Sequence, residues 1–172
     1  MKKGIFSSFY PDEWRNSAYE LPYEQWYRDG RRGLIFDIDN TLVPHGAPAD
    51  ARAVELFRRL HALGFQTCLI SNNQLPRVKP FADAVESAFV ENAHKPSIRN
   101  YLEACRRMSV KKEQALFIGD QLFTDVWGAR RAGIRSVLVN PIHPKEEIQI
   151  VLKRRLERIV LFFYKRHCKR KS

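Results

Sequence analysis

The chain has little cysteine, and its cysteines do not form the pairs that disulfide frameworks or zinc sites require. Cys68, Cys105 and Cys168 are odd in number, and no CxxC spacing occurs in the 172 residues. Closely spaced cysteine pairs are typical of both kinds of site. The sequence therefore indicates a reducing compartment, in which we expect Cys68 and Cys105 to be buried without a chemical role.

Long apolar runs are also missing. No segment approaches the roughly 18 apolar residues that a membrane-spanning helix needs. The basic start at Met1 is followed by aromatic and charged residues rather than by the apolar core of a secretory signal. We therefore expect a cytoplasmic protein, and any contact with the plasma membrane would be peripheral, on its inner face.

Acidic residues are scarce relative to basic ones. The chain has 19 Asp and Glu against 30 Lys and Arg, which gives a net charge of +11. Residues 145–172 hold much of this excess, with ten Lys or Arg and three Glu. Such a basic segment attracts an anionic partner, which can be nucleic acid, a membrane surface or a phosphorylated substrate.

Apolar runs alternate with helical patterns through the middle of the chain. The predicted strands are 34–36, 65–70, 88–90, 115–118 and 135–139. This alternation predicts an α/β fold, with a mostly parallel five-stranded sheet and helices on both faces. Residues 33–144 would form this core. Residues 1–32 would form an aromatic N-terminal arm that wraps the core or touches a membrane, and residues 145–172 a basic amphipathic helix.

Polar side chains follow the predicted strands one after another. The residues concerned are Asp37 and Asp39 after the first strand, Ser71 and Asn72 after the second, Lys95 after the third, and Asp120 and Asp125 after the fourth. Each alone is common in turns or helix caps. In a parallel sheet, however, ligands bind at the carboxyl ends of the strands. Together these residues predict a functional site.

Phosphoryl transfer through a carboxylate nucleophile needs such a set. Asp37 can attack phosphorus, and Asp39 can protonate the leaving alcohol and then deprotonate water. Mg²⁺, which prefers oxygen ligands, would be held by Asp37, Asp120 and a backbone carbonyl near Asp39. Ser71 can hold phosphate oxygens, and Lys95 supplies a compact positive charge.

Four segments resemble the motifs of the haloacid dehalogenase (HAD) superfamily, in the usual order. They are Asp37-Ile-Asp39-Asn-Thr41, Ser71-Asn72, Lys95-Pro96 and Gly119-Asp120 through Asp125. The resemblance implies a three-layer Rossmannoid fold, with Asp37 as nucleophile and Asp39 as acid/base. It also implies phosphate binding by Thr41, Ser71, Asn72 and Lys95, and Mg²⁺ binding by Asp37, Asp39 and Asp120. Asp125 would either reach the metal through water or orient Lys95.

The spacing of these motifs leaves no room for a large cap domain, so the chain resembles an uncapped member with an open site. Within that group it is similar to the YqeG-like phosphatases of subfamily IIIA, relatives of the mitochondrial phosphatidylglycerophosphatase. This resemblance implies hydrolysis of phosphatidylglycerol phosphate to phosphatidylglycerol. Two alternatives stay open. One is a phosphatase for a nucleic-acid end, a nucleotide or another soluble ester, and the other is a non-catalytic binding or assembly factor.

The predicted C-terminal helix is amphipathic. Its apolar side would carry Ile148, Val151, Leu152, Leu156, Ile159, Val160 and Phe163, and its basic side Lys153, Arg154, Arg158 and Lys165. A basic amphipathic helix is typical of an element that binds an anionic membrane surface. The alternative is a helix that packs its apolar side against the sheet and leaves its charges in solvent.

Overall fold

The computed structural model describes residues 6–143 and 148–169, with the side chains of residues 148–154 left out of the description. Its strands are β1 Glu13–Arg15, β2 Gly33–Phe36, β3 Gln66–Ile70, β4 Ala88–Val90, β5 Ala115–Gly119 and β6 Arg135–Val139. Its α-helices are α1 Tyr23–Arg28, α2 Ala51–Ala62, α3 Leu75–Ala84, α4 Ile98–Arg107, α5 Trp127–Arg131 and α6 Ile148–Lys169. A π-helical turn, Leu122–Val126, precedes α5 and is called the π-turn below.

The strands form one parallel sheet in the order β1-β6-β5-β2-β3-β4. Strand β2 lies at the centre, and its Phe36 is level with Leu69 of β3 and Ile118 of β5. From β2 the chain goes on to β3 and β4 on one side of the sheet. It later forms β5 and β6 on the other side of β2. The carboxyl end of β2 is therefore the switch point at which open α/β sheets bind ligands.

Apolar side chains fill both faces of the sheet. Phe36 packs with Phe57 of α2 on one face, whereas its neighbour Ile35 lies with Phe117 and Tyr101 on the other. Neighbouring strand residues point to opposite faces, so a strand covered on both faces reads as one continuous apolar run. The predicted three-layer α/β arrangement is confirmed.

The sheet has six strands, not the predicted five. The additional strand, β1, comes from the N-terminal segment and pairs in parallel with β6, Glu13 beside Val137 and Arg15 beside Val139. Asp12 strengthens the junction, because its carboxylate accepts hydrogen bonds from the backbone N–H (2.8 Å) and the hydroxyl (3.1 Å) of Ser136. The strand was missed because three residues with two charges form no apolar run.

The helix α6 packs on the aromatic N-terminal segment and on the π-turn. The rings of Phe6 and Phe163 stack at 5.5 Å, those of Tyr10 and Tyr164 meet at 5.4 Å, and Val160 is buried. Val160 also shares a buried cluster with Leu138 of β6, so part of the helix packs against the edge of the sheet, as the alternative predicted.

The predicted apolar side of α6 is only partly the buried side. Val160 is buried, but Leu156, Ile159 and Phe163 are exposed by 54%, 51% and 43%. The side chains of Ile148, Val151, Leu152, Lys153 and Arg154 lie outside the described residues. Over the described part of the chain, no helix combines the length and the hydrophobicity that crossing a bilayer requires.

Candidate active site

A tight turn follows β2 and presents its polar residues to the sheet edge. The backbone N–H of Asp37 still bonds to Ile118 in β5 (3.0 Å), and the N–H of Leu42 bonds back to the carbonyl of Ile38 (2.9 Å). Asn40 has a positive φ of 62°, a conformation that asparagine adopts more readily than most residues. The backbone of Asp37 is thus fixed by the sheet.

Three carboxylates converge at the carboxyl ends of β2 and β5. Oxygen atoms of Asp37, Asp120 and Asp125 all lie within 4.8 Å of one another, and all three residues are buried. The hydroxyl of Thr41 donates toward Asp120 (3.3 Å) and lies 3.5 Å from Asp37, so a single donor serves the two carboxylates. The structure places Thr41 beside the acids, and its predicted contact with phosphate remains a prediction.

Lys95 lies inside this acidic group. Its ammonium nitrogen Nζ is 2.5 Å from an oxygen of Asp37 and 2.7 Å from one of Asp125, and its side chain is only 5% exposed. The backbone N–H of Lys95 donates to the side-chain oxygen of Asn72 (2.7 Å), which ties the lysine loop to the turn after β3. The contact fits the predicted role of Asp125 in orienting Lys95, and its predicted contact with the metal through water stays a prediction.

The buried charges shift one another's protonation. Burial raises the pKa of Asp37 to about 7, and Asp125 adds to this effect, while Lys95 opposes it. Burial alone would lower the pKa of Lys95, but Asp125 and Asp37 outweigh burial and raise it. Lys95 is therefore charged at neutral pH. Three acids around one lysine leave an excess of negative charge, which a divalent cation would neutralise.

The carboxylate of Asp39 makes its hydrogen bonds outside this group. It accepts hydrogen bonds from the side-chain amide of Asn73 (2.7 Å), the guanidinium of Arg77 (2.9 Å) and the backbone N–H of Gly46 (2.8 Å). His45 lies 3.9 Å from the same carboxylate. The side chain of Asp39 is not part of the acidic group, so only its backbone carbonyl, as predicted, remains available for a metal.

Ser71 and Asn72 lie at the end of β3, next to β2. Ser71 is buried, and its backbone N–H bonds to Val90 of β4 (3.0 Å). Its hydroxyl oxygen accepts the N–H of Asn73 (3.1 Å), which leaves the hydroxyl hydrogen for an incoming oxygen. Asn72 is exposed and contacts Lys95 rather than an acid.

One close packing contact and two hydrogen bonds fix the turn that carries Asp120 and Asp125. A side chain at Gly119 would collide with Asp125, since a Cβ there would lie 2.5 Å from the carboxylate oxygen. The hydroxyl of Tyr101 donates to the carbonyl of Thr124 (2.6 Å). A carboxylate oxygen of Glu157, in α6, accepts the N–H of Leu122 (2.8 Å) in a buried contact.

Sequence reasoning missed several residues that shape this site. Asn73 and Arg77 follow the predicted Ser71-Asn72 pair, and their polar character next to that motif was a usable signal. Tyr101 and Glu157 act from distant helices, and no pattern in the sequence connects them with the site.

The residues present fit a divalent metal. Mg²⁺ is bound in proteins by one or two carboxylates together with water and substrate oxygens. Asp37 and Asp120 directly follow the adjacent parallel strands β2 and β5, and their oxygens lie close enough for one ion. The nearby charge of Lys95 offsets only part of the acidic excess.

The chain is similar to known proteins. Residues 47–133 match the family profile of the haloacid dehalogenase-like hydrolases. The "probable phosphatase YqeG" of Bacillus subtilis is 35% identical over 159 residues, which cover 92% of each chain. A glyceraldehyde 3-phosphate phosphatase from Methanopyrus kandleri is 44% identical over 45 residues, 26% of this chain and 19% of that one.

Solved structures show the same fold at lower identity. A Vibrio cholerae protein, provisionally described as a 3-deoxy-D-manno-octulosonate 8-phosphate phosphatase, has a TM-score of 0.54 at 18% identity and covers 76% of this chain and 78% of its own. An uncharacterized Listeria monocytogenes protein has a TM-score of 0.52 at 16% identity, with 68% and 86% covered. From the matched profile and the relative that aligns along nearly its full length, the chain belongs to the haloacid dehalogenase-like hydrolases.

Proposed function

We propose that this protein is a metal-dependent phosphomonoester hydrolase that acts through an aspartyl-phosphate on Asp37. The observation that carries the proposal is the buried carboxylate of Asp37 at the central strand end, with the Lys95 ammonium 2.5 Å away and two further carboxylates within 4.8 Å. A carboxylate fixed by the sheet next to a buried cation is placed to attack phosphorus and to share the developing charge.

The reaction has two steps. An oxygen of Asp37 forms a bond to phosphorus while the bond to the leaving oxygen breaks, and Asp39 gives its proton to that oxygen. Water then attacks the phosphoryl-Asp37, Asp39 takes a proton from the water, and inorganic phosphate leaves. Gly46, on the same loop, and Arg77, on α3, donate hydrogen bonds to Asp39. Asp39 can therefore keep its position in both steps.

The other residues hold the transferring phosphoryl group. Lys95 places a fixed positive charge beside Asp37, and the Ser71 hydroxyl can donate to a phosphoryl oxygen. Asn72 fixes the lysine loop, and Asp125 keeps the ammonium in place. Mg²⁺, held by Asp37, Asp120 and the backbone carbonyl of Asp39, would supply neutralisation of the charge between nucleophile and phosphate.

The substrate we propose is phosphatidylglycerol phosphate at an anionic membrane surface. The supporting feature is the exposed stripe of α6, defined here as Leu156, Ile159 and Phe162. Arg155, Arg158, Lys165 and Arg166 lie exposed beside it. Apolar side chains among basic ones suit a lipid interface, where each basic residue contributes about 1 kcal/mol. Nucleic-acid binding would use the charges but not the exposed apolar groups.

A phosphate-release screen tests the activity. We expect the protein with Mg²⁺ to release phosphate from phosphatidylglycerol phosphate in mixed micelles, and EDTA to remove the activity until Mg²⁺ is restored. The same assay measures phosphate release from oligonucleotide 5′-phosphates and from soluble sugar phosphates. Faster turnover of a soluble or nucleic-acid ester would contradict the lipid substrate, and no Mg²⁺-dependent release from any ester would contradict the enzyme itself.

The exposed stripe gives a second test. The triple replacement Leu156→Ser, Ile159→Ser and Phe162→Ser should weaken binding to vesicles that contain phosphatidylglycerol by on the order of 100-fold, because three partly inserted apolar side chains are lost. Co-sedimentation with vesicles measures the binding. Turnover of a soluble ester should stay within about twofold, since none of the three residues contacts the site.

The matched control replaces exposed apolar residues elsewhere, Val54→Ser with Leu102→Ser. These variants should bind vesicles like the unmodified protein. Point replacements are preferable to removal of α6, because removal would delete the contact of Glu157 with Leu122. Equal vesicle binding by the triple variant and the unmodified protein would contradict the membrane role.

A further inference from the structure

The guanidinium of Arg77 is only partly used in the structure. Arg77 lies in the first turn of α3, and one of its terminal nitrogens, Nη2, donates to Asp39 at 2.9 Å. Its buried Nε has no hydrogen-bond partner among the residues that the structure describes, and its side chain is 21% exposed. An arginine has five N–H donors and commonly grips a carboxylate with two of them.

Asp39 does not depend on Arg77 for its orientation. The amide of Asn73 bonds to one carboxylate oxygen at 2.7 Å, and the backbone N–H of Gly46 bonds to the other at 2.8 Å. These two donors fix the plane of the carboxylate. The single contact from Arg77 can therefore be exchanged for a ligand without releasing Asp39.

Through its bond to Asp39, Arg77 lies near the position of the leaving group. In the proposed function, on which this inference rests, Asp39 protonates the leaving oxygen, and Lys95, next to Asp37, binds the phosphoryl group. The path from the leaving oxygen to an anion on Arg77 passes through Asp39 and the guanidinium, so three hydrogen bonds of about 3 Å each set an upper limit of about 9 Å. An alcohol that carries its anion a few covalent bonds from the leaving oxygen falls within that limit.

We propose that Arg77 binds a second anionic group in the alcohol part of the substrate, a phosphodiester or a carboxylate a few bonds from the phosphoryl group. On binding, the guanidinium exchanges its single bond to Asp39 for a two-pronged bond to the anion, and the buried Nε gains an acceptor. Arg77 is then a specificity-determining residue, which selects phosphomonoesters of anionic alcohols over those of neutral ones. A lipid headgroup and a soluble glycerophosphodiester both carry such a group.

The test compares two soluble substrates, glycerol phosphate and the phosphate monoester of glycerophosphoglycerol, which carries the additional phosphodiester. For Arg77→Ala, we expect KM for the phosphodiester-bearing substrate to rise by about 10- to 100-fold, the range for a lost hydrogen bond to a charged group. Loss of the bond to Asp39 should lower kcat by the same factor on both substrates, so the ratio of the two KM values is the readout for Arg77. Arg77→Lys should restore part of the loss, because lysine supplies charge without the two-pronged geometry.

Arg58→Ala is the matched control, since Arg58 is an exposed arginine paired with Glu55 on α2. It should leave both KM values unchanged. Equal falls in kcat on the two substrates, with no change in their KM ratio, would overturn the proposal in favour of a role limited to positioning Asp39. Unchanged kinetics on both substrates would overturn it as well.

Two further arms separate this inference from the proposed function and identify the source of the anion. Calorimetry on Asp37→Asn with and without Arg77→Ala measures binding of the two substrates without turnover, so the test remains valid if no hydrolysis is found. Mixed micelles of phosphatidylglycerol phosphate should show the same loss as the soluble phosphodiester. A loss confined to the micelles would mean that Arg77 contacts the surface rather than the substrate, and would contradict the proposal.

Discussion

Replacing Asp37 with asparagine should lower kcat for phosphate release by at least about 10⁴-fold, because the attacking carboxylate oxygen is lost and no other group can form the phosphoryl-enzyme. Asp120 and Asp125 come from the end of β5 and from the π-turn rather than from the end of β2, so neither places an oxygen where Asp37 does. Phosphate release from the best ester of the screen, with saturating Mg²⁺, measures the effect.

The same replacement should not unfold the protein. Asparagine keeps an oxygen that can accept the hydrogen bond from Lys95, and it removes one charge from a buried acidic group. In EDTA, the thermal midpoint of Asp37→Asn should therefore equal or exceed that of the unmodified protein. Asp83→Asn, an exposed acid on α3, is the control and should keep full activity. Residual turnover above about 1% in Asp37→Asn would contradict a covalent role for this residue.

Replacing Lys95 with methionine should affect both stability and rate. Methionine fills similar space but leaves Asp37 and Asp125 buried without their shared cation. Breaking a buried ion pair in this way destabilises a fold by about 3–5 kcal/mol. Loss of a fixed charge at the transferring group lowers kcat by about 10²- to 10³-fold. Urea unfolding in EDTA and initial rates with Mg²⁺ measure the two effects.

The loss of stability in Lys95→Met should depend on pH and on metal. The pKa of Asp37 is about 7 in the folded protein against 3.8 for the free side chain, and removal of Lys95 raises the folded value further. A carboxyl with a raised folded pKa binds more protons in the folded state than in the unfolded state. The free energy of unfolding therefore falls as the pH rises from about 4 to about 7 in the unmodified protein, and it continues to fall above pH 7 in Lys95→Met.

The urea midpoint of Lys95→Met should accordingly fall more steeply with pH than that of the unmodified protein, and saturating Mg²⁺ should recover part of the difference. Lys79→Met, which removes an exposed lysine paired with Asp83, is the control and should change neither slope. Parallel pH profiles for the Lys95 variant and the unmodified protein would show that the ammonium does not hold the buried acids.

The central sheet could be predicted from the sequence because its strands are covered on both faces. Strands such as β2 and β5 are fully buried and consist of unbroken apolar runs. Such short apolar runs are typical of strands in a parallel sheet that is covered on both faces. Strand β1 could not be predicted in this way. Glu13 and Arg15 become a strand only by pairing with β6, more than a hundred residues away.

Part of the candidate site could also be predicted from the sequence, and part of it could not. Asp37, Lys95 and Asp120 occupy strand ends or the loop that follows one, and parallel topology alone brings such positions to one edge. The surroundings of Asp39 were not predictable, because they depend on how the first turn of α3 directs Arg77 back across the sheet edge. Nor was the buried contact of Glu157, which requires α6 to be docked in one register.

The pairing of β1 with β6 has a consequence for synthesis of the protein. Glu13 leaves the ribosome early, but its partner Val137 is made 124 residues later (137 minus 13). At about 5–20 residues per second, this interval lasts on the order of 6–25 seconds. During that time β1 lacks the strand with which it pairs, although Tyr23 and Trp26 can already pack with Phe36 and Phe65. Final closure of the sheet edge must await completion of β6.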